Sequence, residues 1–138
     1  MTTAREHNDL KKNTWVGELG IEIVSAEPGR VVGQIEVRPD FLAPNGFIHA
    51  AVIVSMADSL CGSGTVEALP EGATGHTTIE LKANLLGTAR SGKIRCEATM
   101  VHSGRTTQVW DAAAVSEASG KTIALFRCTQ LILYPAAK

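Results

Sequence analysis

The stretch that decides the fold is Phe47–Val66, FIHAAVIVSMADSLCGSGTV. It holds no proline, and Asp58 is its only Asp, Glu, Lys or Arg. Ile48, Ala51, Val52, Ile53, Val54, Met56, Ala57 and Leu60 fall on every side of a helical wheel. A helix that is apolar all round belongs in a core. Ala50, Ala51, Ser55, Ala57, Gly62 and Gly64 are small enough to let strands approach it closely. Pro44-Asn45-Gly46 breaks the chain before this helix, and Pro70-Glu71-Gly72 breaks it after.

Upstream, Ile21–Val24 and Val31–Val37 show strand-like residues in partial alternation, with the turn signal Glu27-Pro28-Gly29-Arg30 between them. They predict an antiparallel hairpin whose second strand is closed by Pro39. Downstream, Thr77–Leu86, Lys93–Val101, Thr106–Val115 and Thr122–Tyr134 are four long strand-like runs. Gly87, Ser91-Gly92, Ser103-Gly104 and Ser119-Gly120 punctuate them, a spacing that predicts an antiparallel meander. Strands and helices do not alternate, which argues against a parallel doubly wound sheet. The expected architecture is α+β: one long central helix wrapped by one curved antiparallel sheet. A chain of 138 residues fits one domain, 1–138, with residues 1–13 as a polar N-terminal arm.

Composition narrows the function. A net charge of −1 supplies no concentrated basic surface, so neither nucleic acid nor an anionic membrane is the expected partner. Aromatic residues are too scarce for a base-stacking platform. The three cysteines, Cys61, Cys96 and Cys128, are odd in number, far apart and free of any Cys-x-x-Cys, which disfavours a disulfide framework or a zinc site. No apolar run reaches the roughly 20 residues that a membrane helix needs. The polar first 13 residues lack the apolar core of a signal peptide. The expected compartment is the cytoplasm.

Asp58 is the candidate with most chemical content. A carboxylate in the middle of an apolar helix needs a partner, since burial alone disfavours its ionised form. Two readings stand: a structural acid hydrogen-bonded to strand backbone or a hydroxyl, or a functional acid kept for its reactivity. His49, at the start of the same helix, reads as a packed, hydrogen-bonded residue or as a base. No second histidine or carboxylate lies at helical spacing from it, so no metal is expected. The first N–H groups of a helix lack intrahelical acceptors and favour negative charge, so the Ala50 N–H is a candidate oxyanion donor. Ala50 and Asp58 are eight residues apart, roughly 12 Å along a helix. A base and an oxyanion donor must both reach one carbonyl, so one helix cannot supply both. Two antiparallel helices can, most simply in a two-fold dimer.

In these residues the chain resembles the hotdog-fold thioesterases, in particular the phenylacetate-degradation type and the 4-hydroxybenzoyl-CoA thioesterases of the Arthrobacter kind. That family carries Gly-x-x-His-Gly-Gly with Asp or Glu nine residues after the histidine. Here the segment reads Gly46-Phe47-Ile48-His49-Ala50-Ala51, with Asp58 nine residues after His49. Thr77-Thr78-Ile79-Glu80-Leu81 and the run from His102 to Asp111 also match, and the likeness spans about Gly17 to Tyr134. The resemblance implies dimers paired into tetramers and hydrolysis of an acyl-CoA thioester at a subunit interface. No cofactor is implied, coenzyme A being part of the substrate. By position it implies that Asp58 is nucleophile or general base and that the Ala50 N–H is the oxyanion donor. His49 stands at the helix start of that site. It implies that the Thr78 hydroxyl positions water or the carboxylate; Asn45 and Gly46, just before the helix, are candidates to position substrate, Asn45 only if the loop is shaped to let it. The turn Ser103-Gly104-Arg105-Thr106 would contact coenzyme A, and Arg90 on a neighbouring turn would meet a phosphate. A solvated turn arginine is the competing reading for both Arg90 and Arg105.

Two positions depart from the family pattern. Ala50-Ala51 replaces Gly-Gly, which keeps the N–H and adds methyl groups. Ala43 stands where many members place Asn or Gln, six residues before the histidine. These departures motivate an alternative, a non-catalytic acyl-CoA-binding protein. A hydratase of the same fold pairs Asp with His five residues later, and here Pro44 occupies the position five before His49. Cys61, three residues after Asp58, reads as a buried thiol rather than a nucleophile.

Overall fold

A computed structural model describes residues 2–137. The elements are α1 (Ala4–Leu10), α2 (Trp15–Glu18), β1 (Glu22–Glu27), β2 (Arg30–Glu36), a 3-10 turn (Pro39–Phe41), α3 (Ala50–Glu67), β3 (Gly75–Leu85), β4 (Lys93–Ser103), β5 (Thr107–Ser116) and β6 (Thr122–Leu133). The six strands form one antiparallel sheet that wraps α3. Alternation sets which face meets the helix. Along β5, Gln108, Trp110, Ala112, Ala114 and Ser116 are buried while the residues between them are half-exposed. Ile35, Ile94, Cys96, Trp110, Met56 and Leu60 lie at the centre of the core.

The expected hairpin is present, with Glu27 paired to Arg30 across the turn. The expected four-strand meander is only partly correct. The sheet order is β1-β2-β4-β5-β6-β3. β4, β5 and β6 follow one another, but β3 pairs with β6 at the far edge and β4 pairs with β2. The reason is α3, which carries the chain across the sheet after β2, so that β3 starts on the opposite side. Turn spacing along the sequence does not carry that displacement.

The helix starts later than its apolar run. Leu42 and Ile48 form an isolated antiparallel bridge. Between them Asn45 Oδ1 accepts from the Phe47 N–H at 3.1 Å, and Gly46 takes φ +83°, a conformation open to glycine. His49 is the N-cap, with extended backbone at φ −66°, ψ 133°, and its Nδ1 accepts from the Ala51 N–H at 3.0 Å. Nor is the helix enclosed all round. Ala51 is exposed and Ser55, Asp58 and Gly62 are partly exposed, four positions that share one stripe at helical spacing. The opposite side, with Ile53, Met56, Leu60 and Gly64, is buried.

On that side α3 packs hard against the sheet. A Cβ at Gly64 would lie 2.3 Å from Trp110 Cη2 and 2.6 Å from Cζ3. The ring cannot retreat, because its indole N–H donates to Gln108 Oε1 at 2.9 Å and Gln108 Nε2 donates to the Ala68 carbonyl at 2.8 Å. Gly64→Ala should therefore cost about 2 kcal/mol net, overpacking outweighing the ~1 kcal/mol that alanine gains in helix propensity. A fall in the urea midpoint at unchanged m-value checks it.

The N-terminal arm is helical and docked. Thr3 caps α1 in a capping box with Glu6. Asn8 bonds the backbone of Ile23 through both ends of its amide, at 3.0 and 2.7 Å, and so covers part of the β1 edge. His7 is buried with Nε2 2.9 Å from Glu67 Oε1, and the Thr2 N–H meets both Glu67 oxygens at 3.1 and 3.2 Å. Burial pushes the Glu67 carboxyl up, but the Thr2 and His7 hydrogen bonds outweigh it and hold the carboxyl below its usual range. A depressed carboxyl stabilises above its unfolded pKa, near 4.3, and that stability is lost as pH falls through the lowered value. Exchange protection of the α1 amides should thus hold down to about pH 5 and fall below about pH 4. Glu67→Gln should weaken it at all pH values.

Candidate active site

Asp58 is half-buried on the open stripe of α3. Its Oδ1 accepts from the Thr78 hydroxyl at 2.8 Å. Thr78 faces Gln130 across β3 and β6, next to a register shift between Thr78 and Glu80. Such a bulge re-aims the side chains around it. Gln130 is fully buried and donates from Nε2 to Thr78 Oγ1 at 2.9 Å, while its Oε1 lies 2.9 Å from His76 Nδ1. His76 in turn lies against α3, where a Cβ on Gly62 would be 3.1 Å from its Cε1. Asp58, Thr78, Gln130 and His76 thus form one hydrogen-bonded chain. The sequence reading named the first two and missed the others. Gln130 had a signal: alternation places Phe126, Cys128, Gln130 and Ile132 on the inner face of β6, where an amide is out of place without partners.

At the start of the helix, His49 and Ala50 are exposed. The Ala51 N–H is taken by His49 and the Val52 N–H by the His49 carbonyl at 3.0 Å. The Ala50 N–H has no acceptor among the described residues. The preceding hairpin is held from outside: Arg90 Nε donates to the Gly46 carbonyl at 2.9 Å, with its guanidinium 5.1 Å from the Phe47 ring centre. The Ile48 N–H donates to Thr88 Oγ1 at 2.9 Å. Asn45, Gly46, His49, Ala50 and Arg90 therefore cluster at this end.

Ser103, the last residue of β4, and Gly104, Arg105 and Thr106, in the turn to β5, lie elsewhere. There the Gly104 N–H donates to the Thr107 carbonyl at 2.8 Å, and Arg105 lies over Tyr134 at 5.8 Å. Gln108, next to this turn, bonds Ala68 at the C-terminal end of α3. Arg90 and Arg105 are thus at opposite ends of an 18-residue helix, about 27 Å long. Within one chain the two arginine turns flank the two ends of α3.

Cys61, Cys96 and Cys128 are buried and free. The Cys61 thiol is pushed up by its hydrogen bond to Cys128 and by burial, which leaves it protonated and unsuited to attack. Among the described residues no group of three or more His, Cys, Asp or Glu is arranged to hold a metal, and no helix is long and apolar enough to cross a membrane. A recess of about 840 Å³ lies on the outer face of the sheet, lined by residues such as Arg95, Asp111 and Leu125, and contains none of the candidate residues.

A long helix clasped by one curved antiparallel sheet, with an acid at mid-helix and a free N–H at its start, defines a hotdog-fold protein of the thioesterase kind. The thioesterase superfamily profile matches residues 45–123, and the chain belongs to that family. Its 1,4-dihydroxy-2-naphthoyl-CoA hydrolase relative from Listeria monocytogenes is 32% identical over 111 residues, covering 80% of this chain and 89% of that protein. The proofreading thioesterase EntH of Klebsiella pneumoniae is 29% identical over 110 residues, 80% of each chain. Among solved structures, thioesterase HI1161 of Haemophilus influenzae superposes with a TM-score of 0.89 at 28% identity, over 97% of this chain and 92% of that one.

Proposed function

We propose that this chain hydrolyses acyl- or aryl-CoA thioesters, with each active site shared between two subunits of a two-fold dimer, and dimers paired into tetramers. The observation that carries the proposal is the separation on one helix of a half-exposed carboxylate, Asp58, and an acceptor-free N–H, Ala50. Antiparallel α3 helices bring Asp58 of one subunit and Ala50 of the other to one carbonyl. Asp58 attacks the thioester carbon, or takes the proton from a water that does. The oxyanion forms against the Ala50 N–H and the positive end of the helix dipole. Collapse of the intermediate expels the coenzyme A thiolate. If Asp58 is the nucleophile, water then cleaves the acyl-enzyme anhydride. His49 contributes by holding the Ala51 N–H, which keeps the helix start rigid with Ala50 as its outward donor.

Three features support this reading. The Listeria relative carries a CoA thioester in its name. The edge strand β3 exposes Ile79, Leu81 and Leu85 and has no strand beyond it among the described residues, while Asn8 covers part of the opposite edge. A second copy is a natural occupant of such an edge. Antiparallel subunits also solve the separation of the arginines. The Ala50 subunit supplies Arg90, with Asn45 and Gly46, and the Asp58 subunit supplies the Ser103–Thr106 turn to the coenzyme A moiety. The reaction takes no cofactor, and three free thiols suit the cytoplasm.

Ala43 favours a second reading, acyl-CoA binding without turnover. Its backbone groups are spent in the hairpin, the N–H on Phe47 and the carbonyl on Gly46, and the Asn45 oxygen is spent on the Phe47 N–H. Ala43 brings no side-chain amide to hold the thioester oxygen, and Asn45, whose Nδ2 keeps its donors, stands two residues further along the hairpin. Thiol release from a panel of aliphatic and aromatic acyl-CoAs separates the two. Turnover on at least one supports hydrolysis, and saturable binding with no release on any of them supports the binder.

A further inference from the structure

The chain behind Asp58 has a direction. The Thr78 hydroxyl holds one proton and has two acceptors within reach, Asp58 Oδ1 at 2.8 Å and Gln130 Oε1 at 3.2 Å. An amide that turns Nε2 toward Thr78 donates to the hydroxyl oxygen and leaves its proton for Asp58. A flipped amide would put its carbonyl there and draw the proton away. Gln130 cannot settle this alone, because Nε2 and Oε1 both lie near Thr78. His76 settles it. With a proton on Nδ1 the imidazole accepts no bond there and meets only a carbonyl, at 2.9 Å. Nε2 is then left facing Thr78 at 2.9 Å and Cys128 Sγ at 3.3 Å. Because Gln130 is fully buried, water is not there to satisfy a mis-turned amide.

We infer that Gln130 and His76 are positioning residues for the Asp58 carboxylate. His76, as its Nδ1–H form, locks the Gln130 amide. Gln130 then commits the Thr78 proton to Asp58 Oδ1, which leaves Oδ2 as the oxygen that reacts. Gly62 gives the imidazole its place, since even a methyl group there would crowd Cε1 at 3.1 Å. The catalytic consequence rests on the thioester reading above, whereas the direction of the hydrogen bonds does not.

The experiment has a spectroscopic and a kinetic arm. ¹⁵N NMR of the imidazoles should find neutral His76 with its proton on Nδ1. His49 is the internal contrast: its Nδ1 accepts from the Ala51 N–H, so its proton should sit on Nε2. In Gln130→Met the His76 preference should disappear. Kinetically, Thr78→Val and Gln130→Met should each lower kcat about tenfold with KM nearly unchanged, as expected for a lost hydrogen bond to a charged group. The double variant should be no slower than Thr78→Val alone, since Gln130 acts through Thr78. Thr78→Ser, which keeps the hydroxyl, should recover most of the rate that Thr78→Val loses.

A wild-type His76 protonated on Nε2 would overturn the inference. So would losses that multiply in the double variant, or a Thr78→Ser enzyme as slow as Thr78→Val. If Gln130→Met does not fold, the wild-type tautomer and the Thr78 pair still decide it. A wild type that cleaves no thioester would sink the proposed function, and the tautomer would still decide the hydrogen-bond direction.

Discussion

Asp58→Asn should lower thioester hydrolysis by about a thousandfold while the protein stays folded, the scale expected when a positioned base or nucleophile is removed. Asparagine has the same shape, and its carbonyl oxygen can still accept from Thr78 at the position where Oδ1 now does so at 2.8 Å. What is lost is the negative charge and the nucleophilic oxygen. The loss should fall on kcat, with KM changed little, because the carboxylate acts on the reacting carbon rather than on the bulk of the ligand. Steady-state kinetics on the best acyl-CoA of the panel, with circular dichroism as the folding control, reads both. A variant that keeps its full rate would return Asp58 to the structural reading.

Ala50→Pro should lower kcat by about a hundredfold or more, the usual consequence of losing an oxyanion donor. The substitution deletes one N–H and little else. Ala50 is the first helical residue, a position where proline is favoured. His49 before it has φ −66° and ψ 133°, the extended conformation that a following proline requires. The deleted N–H has no acceptor among the described residues, so no protein hydrogen bond is broken. Retained stability with a collapsed rate is therefore the expected signature. An unchanged rate would remove Ala50 from the mechanism.

The core helix, the two upstream strands and the helical spacing of Ala50 and Asp58 were legible because each rests on local pattern. An 18-residue apolar segment bounded by Pro-Asn-Gly and Pro-Glu-Gly has few other ways to fold. The place of β3 was not legible. Its pairing with β6 depends on where α3 delivers the chain, and no local signal encodes that. The start of the helix at His49 was legible, but not why the apolar run begins two residues before it. Phe47 and Ile48 are good helical residues, but the Asx turn at Asn45 and the Leu42–Ile48 bridge claim their backbone. At the site, Thr78 was reached through family likeness and Asp58 through its isolation in apolar surroundings. Gln130 and His76 escaped because each is ordinary in sequence. Their meaning appears only when β3 and β6 lie side by side.

In the proposed mechanism two chains build each site, and mixing subunits reads this out. Asp58→Asn and Ala50→Pro proteins are each expected to be inactive. In a dimer containing one of each, one site collects both defects and the other collects neither. Unfolding and refolding the two together in equal amounts should restore about a quarter of wild-type activity, since half the dimers are mixed and each has one intact site. A mixture no more active than its components, with subunit exchange verified by mass, would contradict the shared site and with it the mechanism.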